Sequence, residues 1–252
     1  MKIKEIVSAL ERFAPLPLQE SYDNAGLQVG LTEAEASGAL LCLDVTEEVI
    51  EEGVDLGCNL IVAHHPLLFR GVKCVADTTQ VERCLRLAIK NDICIYAAHT
   101  NLDNAEDGVN YKMAEKLGLV DVVPLTGGGV LGYLMAEEDS LAFLQRVKDV
   151  FRIECLQHNE LLRRPIQIVA LCGGAGSFVL DTAIAQEADA FLTGEMGYHQ
   201  FFGHEQQIQI GVMGHFQSEQ YTTEIFQQII GECAPLLPLF TTGVNTNPIQ
   251  YL

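Results

Sequence analysis

Apolar residues recur along this chain with two rhythms. Ile3, Ile6, Val7, Leu10 and Phe13 have helical spacing, and Pro15 limits the helix they predict. Short, mainly apolar segments follow: Ala39-Leu-Leu-Cys-Leu-Asp44, Asn59-Leu-Ile-Val-Ala63, Ile93-Cys-Ile-Tyr-Ala-Ala98 and Ile208-Gln-Ile-Gly-Val-Met213. Runs of this kind predict strands covered on both faces, as in parallel sheets. Helical stretches separate them. Thr46 with Glu47 and Glu48 reads as an N-cap and acidic first turn of a helix to about Leu56, and further helices are expected over Val81 to Lys90 and Asn110 to Leu117. The segment Tyr22 to Gly30 reads as a loop. Thr126-Gly-Gly-Gly129 reads as a break, followed by a strand at 130–135, a helix at about 139–150, and short strands near 151–156 and 166–171. The fold class this implies is α/β with mainly parallel sheets, and the expected division is 1–125 and 126–252, with interleaving of the two lobes allowed.

The ends of the apolar runs carry the chemistry. The first lobe's second run stops at His64-His65-Pro66, the next runs into His99 and Asp103, and the run at 208–213 leads to His215 and Glu219. Strand carboxyl ends are where open α/β folds keep their sites. An internal echo supports the convergence. Cys42 to Asn59 and Cys172 to Asp189 are both steps of seventeen residues, and the spacing His99-x3-Asp103 returns as His215-x3-Glu219. Imidazoles with carboxylates suit Zn, Fe, Mn, Co or Ni. His64, His65, Asp103, His215 and Glu219 exceed the needs of one tetrahedral ion, so two divalent ions per chain are expected. His99, Glu195 and His199 are the candidates for proton transfer or substrate contact, while His158 and His204 read as surface residues. Gly173-Gly-Ala-Gly176 lacks the full GxGxxG pattern and a Walker lysine, and reads as a tight strand-to-helix turn. With no nucleophile elbow, hydrolysis here falls to water activated by metal.

Composition narrows the classes further. A net charge of -19 argues against a polymeric nucleic-acid partner, which needs clustered Lys and Arg. Eight cysteines without a CxxC or CxC pair read as reduced core thiols of a cytoplasmic protein. No run approaches a membrane span, and the amino-terminal segment lacks a signal peptide's apolar stretch. A small-molecule substrate is the expected partner.

Tyr22-Asp-Asn-Ala-Gly-Leu-Gln-Val-Gly30, Ile61-Val-Ala-His-His-Pro66, His99-Thr-Asn-Leu-Asp103, Leu192-Thr-Gly-Glu195, Gly214-His-Phe-Gln-Ser-Glu219 and Thr246-Asn-Pro248 together resemble the Nif-three-like (YbgI-like) family, also labelled GTP cyclohydrolase I type 2 homologs. The resemblance covers nearly the whole chain. It implies two similar αβ lobes, a toroidal homohexamer, and a dinuclear centre whose ligands fall on His64, His65, Asp103, His215 and Glu219. Where the family often has Trp before the Asp of the first motif, this chain has Tyr22. The short middle segment, about 129 to 165, implies the form without an inserted domain. The function implied is a metal-dependent hydrolase acting on a small, nucleotide-like substrate; a metal-handling or regulatory protein without turnover is the alternative.

Overall fold

The computed structural model describes all 252 residues. They form two compact units, one of residues 1–105 and 222–248, the other of residues 106–221 and 249–252. The units interleave in sequence, and the division differs from one at 125/126. The reason lies in the glycine run. Leu125 N–H donates to Gly129 O at 3.0 Å, so residues 125–129 turn an antiparallel hairpin inside the second unit and do not join two units.

The first unit begins with α1 (Ile3–Phe13), whose Ile3, Ile6, Val7 and Leu10 are buried. Strand β1 (Gly26–Val29) lies within the segment expected to be loop; it has four residues and one face toward solvent, which leaves little apolar signal. Strand β2 (Ala39–Cys42), helix α2 (Glu47–Asp55), strand β3 (Leu60–Ala63), helix α3 (Gln80–Lys90) and strand β4 (Cys94–Ala97) then alternate, and every residue of β2, β3 and β4 is buried. Thr46 caps α2 through Val49 N–H at 3.3 Å, as its position predicts, and Thr79 caps α3 through Glu82 N–H at 3.3 Å. A single turn, α4 (Thr100–Asp103), follows β4. The sheet order is β1-β4-β3-β2-β11, parallel except for β1, where β11 (Leu239–Thr241) is supplied by the returning chain after its last helix.

The second unit holds α5 (Val109–Leu117), β5 (Val120–Pro124), β6 (Val130–Glu138), α6 (Ser140–Phe151), β7 (Gln157–His158), β8 (Ile166–Cys172), α7 (Leu180–Ala185), β9 (Ala190–Thr193), β10 (Gln209–Val212) and α8 (His215–Glu219). The last helix of the chain, α9 (Thr222–Cys233), belongs to the first unit. The strand expected near 151–156 is absent. Helix α6 runs through Phe151 and stops on Arg152 in the left-handed conformation (φ 53°), and only Gln157 and His158 pair with β10. Sheet order is β5-β6-β8-β9-β10-β7. Two apolar layers cover its faces: Val169, Leu171, Ala190 and Leu192 pack on one side, Ala170, Cys172, Phe191 and Ile210 on the other.

The sequence echo is also an echo of register. In the first unit Cys42, Ala63 and Ala97 stand in one row across β2, β3 and β4, and in the second Cys172, Thr193 and Val212 do so across β8, β9 and β10. Each trio is parallel, and each has an antiparallel strand on its third member, β1 on β4 and β7 on β10. In each unit the loops after this row carry the candidate ligands.

Candidate metal centre

In the first unit β3 is prolonged by two backbone hydrogen bonds, His64 N–H to Cys42 O (3.3 Å) and His65 N–H to Leu43 O (2.9 Å), before Pro66 ends it. His64 is fully buried. Its Nδ1 lies 2.8 Å from Ala98 O, and because a carbonyl only accepts, Nδ1 carries the proton and Nε2 keeps its lone pair. Asp103, on α4, brings Oδ1 to 3.6 Å from that Nε2. His65 is oriented by a carboxylate: its Nδ1 donates to Asp44 Oδ1 at 2.7 Å, and Thr246 Oγ1 donates to Asp44 Oδ2 at 2.7 Å. The carboxyl-terminal Thr246-Asn-Pro248 segment thus reaches the site through Asp44, a residue the motif reading did not single out. Its position directly after β2 was the available signal.

His99 follows the same rule. Its Nδ1 donates to Asp23 Oδ1 at 2.8 Å, and Asp23 also accepts from Thr100 N–H at 3.1 Å, from Thr100 Oγ1 and from Asn24 N–H at 2.7 Å. Burial pushes the Asp23 carboxyl up, but hydrogen bonds from His99 and Thr100 and the field of His99 prevail and hold it well below the usual carboxylate range. The rings of His64, His65 and His99 lie with centroids 4.9 to 5.4 Å apart, and these three residues form a group able to share one ion. His99, expected to serve proton transfer, is therefore also a potential ligand within its unit.

In the second unit α8 is one turn long and places His215 and Glu219 at i and i+4, with Nε2 3.2 Å from Oε2. Glu195 Oε1 accepts from His215 Nδ1 at 2.8 Å. Glu195 thus stands as an orienting partner of His215. Ser218 ties the loop after β8 to the one after β10: its Oγ accepts from Gly174 N–H at 3.0 Å and donates to His215 O at 2.7 Å. Two glycines make room for this. A Cβ on Gly174, at φ +56°, would lie 2.4 Å from Glu219 Oε1, and one on Gly194 would lie 2.6 Å from Gly174 O. The Gly173–Gly176 segment is the tight turn its composition predicts, and its first two amides are engaged inside the protein, Gly173 N–H on Asn110 Oδ1 at 2.9 Å and Gly174 N–H on Ser218 Oγ. His199 stands apart. It is exposed on the turn after β9, with Tyr198 and Phe202 as ring neighbours; His158 is exposed as expected and His204 is half-buried.

All four site histidines thus donate Nδ1–H to an oxygen, and in their neutral form keep Nε2 unprotonated. Metal-ligating histidines are held in this way. With carboxylates 3.6 and 3.2 Å from two of those Nε2 atoms, the donor chemistry fits borderline divalent ions.

The comparisons with known proteins agree over the full length. The family model Duf34/NIF3 (NGG1p interacting factor 3) matches residues 1–248. The chain belongs to the Duf34/NIF3 family. A Clostridium perfringens protein named GTP cyclohydrolase 1 type 2 homolog is 35% identical over 229 residues, covering 87% of each chain. A Campylobacter jejuni protein of the same name is 30% identical with full coverage of both. The crystal structure of the Staphylococcus aureus hypothetical protein SA1388 superposes with TM-score 0.92 at 24% identity, over 100% of this chain and 99% of that one, and so shares the NIF3 fold. No helix of the NIF3-family chain is long and apolar enough to cross a membrane.

Proposed function

We propose that this NIF3-family protein holds two divalent ions per chain on His64, His65, Asp103, His215 and Glu219, and uses them to hydrolyse a small, nucleotide-like substrate. The observation that carries the reading is the common orientation of the site histidines, each with Nδ1 bonded to an oxygen and Nε2 presented. That is costly to build without use: Asp44, Asp23 and Glu195 are each committed to one imidazole. When bound, such ions act as Lewis acids and lower the pKa of water. The chain's own residues do the rest. Asp44 and Glu195 fix two imidazoles, burial of His64 keeps bulk water from its Nε2, and Asp23 keeps His99 oriented to accept or release a proton at its own Nε2. The name of the relatives supports a purine-ring opening, which requires water addition to a ring carbon and one proton donor; His99 meets that requirement better than exposed His199. We further propose a cytoplasmic homohexamer, which size-exclusion chromatography with light scattering would check.

One observation favours the alternative of a metal-handling or regulatory protein without turnover. His65 and His215 have side chains 22% and 31% exposed, which favours exchange of ions with solution. The test is turnover of GTP and a panel of small esters and nucleotides by metal-loaded protein. The hydrolase reading expects activity that chelation abolishes and several borderline metals restore. No turnover on the panel, with rapid loss of ions to a chelator, would replace it with the metal-handling one.

A further inference from the structure

The motif Tyr22 to Gly30 contributes one residue, Asp23, to orienting His99, yet more of it is spent on a neighbouring loop. Asn24 Nδ2 donates to Leu68 O at 2.7 Å, and Leu68 N–H donates to Gln28 Oε1 at 3.0 Å, so both backbone groups of Leu68 are held by motif side chains. The next residue is Phe69. Its ring stands edge-to-face to Tyr22, centroids 6.4 Å apart, and edge-to-face to His99, centroids 6.0 Å apart. Phe69 is 42% exposed and Tyr22 65% exposed, and neither is part of an apolar core. Fixed aromatic rings left in solvent beside a proton-transfer candidate lose nothing more by ordering when a flat ligand arrives.

Charge singles out the same loop. In a chain with 15 basic and 34 acidic residues, Arg70 follows Phe69 directly and Lys73 comes four residues after it, both are exposed, and neither forms an ion pair. By contrast Arg83 and Arg86, further along, are engaged by Glu47 and Asp77. Two unneutralised cations on the loop that carries Phe69 suit an anionic group attached to a flat ring.

We propose that Tyr22 and Phe69, with His99 beside them, form a stacking subsite for a planar heteroaromatic ring whose anionic arm is received by Arg70 and Lys73. This rests on the reading of the site as one for a small, nucleotide-like substrate, and deepens it by assigning the residues that select the ring. The overall acidity speaks against a polymer as the occupant, so a mononucleotide-like small molecule is the class.

The test is calorimetric titration of the full-length protein, metal-loaded and metal-free, with GMP, guanosine and ribose 5-phosphate, alongside elemental analysis of each sample. GMP should bind at least about fivefold tighter than ribose 5-phosphate, the lower end of an aromatic-base stack. Phe69→Leu, which keeps apolar volume and removes the ring, should erase that margin without changing metal content. The double change Arg70→Gln and Lys73→Gln should weaken GMP and spare guanosine. Tyr198→Ala, an exposed aromatic of the other unit, should change nothing. Equal binding of GMP and ribose 5-phosphate by the unaltered protein overturns the subsite, as does a Phe69→Leu protein that retains the margin. Ring-selective binding by protein that takes up no metal would uphold the subsite and sink the metal reading; two bound ions without ring preference would do the reverse.

Discussion

A carboxylate that only orients an imidazole is the smallest unit of this site, and Asp44 is the clearest case. It accepts from His65 Nδ1 on one oxygen and from Thr246 Oγ1 on the other. Asp44→Ala should leave His65 free to rotate and lower affinity for one of the two proposed ions by about 10–100-fold, read by competition with a chromophoric chelator. Thr246→Val should follow in the same direction with a smaller loss, and Thr246→Ser should restore it. Asp23 makes a different prediction. Its carboxyl is held far below its ordinary value, so the stability it adds is fully present above the unfolded pKa, about 3.9, and is lost as pH falls below it. The stability gap between metal-free wild type and Asp23→Asn should therefore be flat from pH 5 to 8 and shrink in stronger acid, as urea denaturation would record. A gap that closes between pH 6 and 8 would contradict this assignment to Asp23. The grouping of the candidate ligands was legible from the sequence because types and spacing repeat at strand ends. Their orienting partners were not, since Asp44 and Asp23 are lone carboxylates whose roles depend on contacts 21 and 76 residues away. Glu195 was noticed as a site residue, but nothing in its sequence neighbourhood separates orienting His215 from touching substrate.

At the scale of elements, what the sequence shows best is what is buried on both sides. Strands β2, β3, β4, β9 and β10 are four-residue strands with every position buried, and for β2, β3 and β4 the apolar run is continuous, while buried Gln209 interrupts that of β10. Strands β1 and β7 sit at sheet edges and are four and two residues long, too short and too polar to stand out. Cysteines divide in the same way. Cys42, Cys58, Cys84, Cys94 and Cys172 are buried as expected, with burial pushing the thiols of Cys84 and Cys94 up to about 11, whereas Cys74 and Cys155 are exposed. The one-turn helix α8 is too short to hold itself and depends on the loops around it. Gly174→Ala tests that dependence: the left-handed backbone alone costs about 1–2 kcal/mol, and the new methyl would push against Glu219 Oε1. The expected result is a destabilised protein that also binds metal less tightly. A loss of stability with unchanged metal affinity would show that Glu219 tolerates displacement.

For the whole molecule, the parallel trios β2-β3-β4 and β8-β9-β10 explain why the same residue types appear twice: each unit delivers a histidine and a carboxylate just past its third strand. The observed division, at 105/106 and 221/222, was not legible because a glycine run can turn a hairpin as readily as it can link domains, and because the return of α9 and β11 to the first unit leaves no compositional mark. The central claim is the proposal that His64, His65, Asp103, His215 and Glu219 hold two divalent ions per chain. The measurement that bears on it most directly is elemental analysis of the protein reconstituted with excess Zn or Mn and freed of unbound ion, for wild type and Glu219→Gln. The account predicts close to two equivalents per chain for wild type and reduced occupancy of both ions in the variant. A steady value of one equivalent or none in wild type would contradict it.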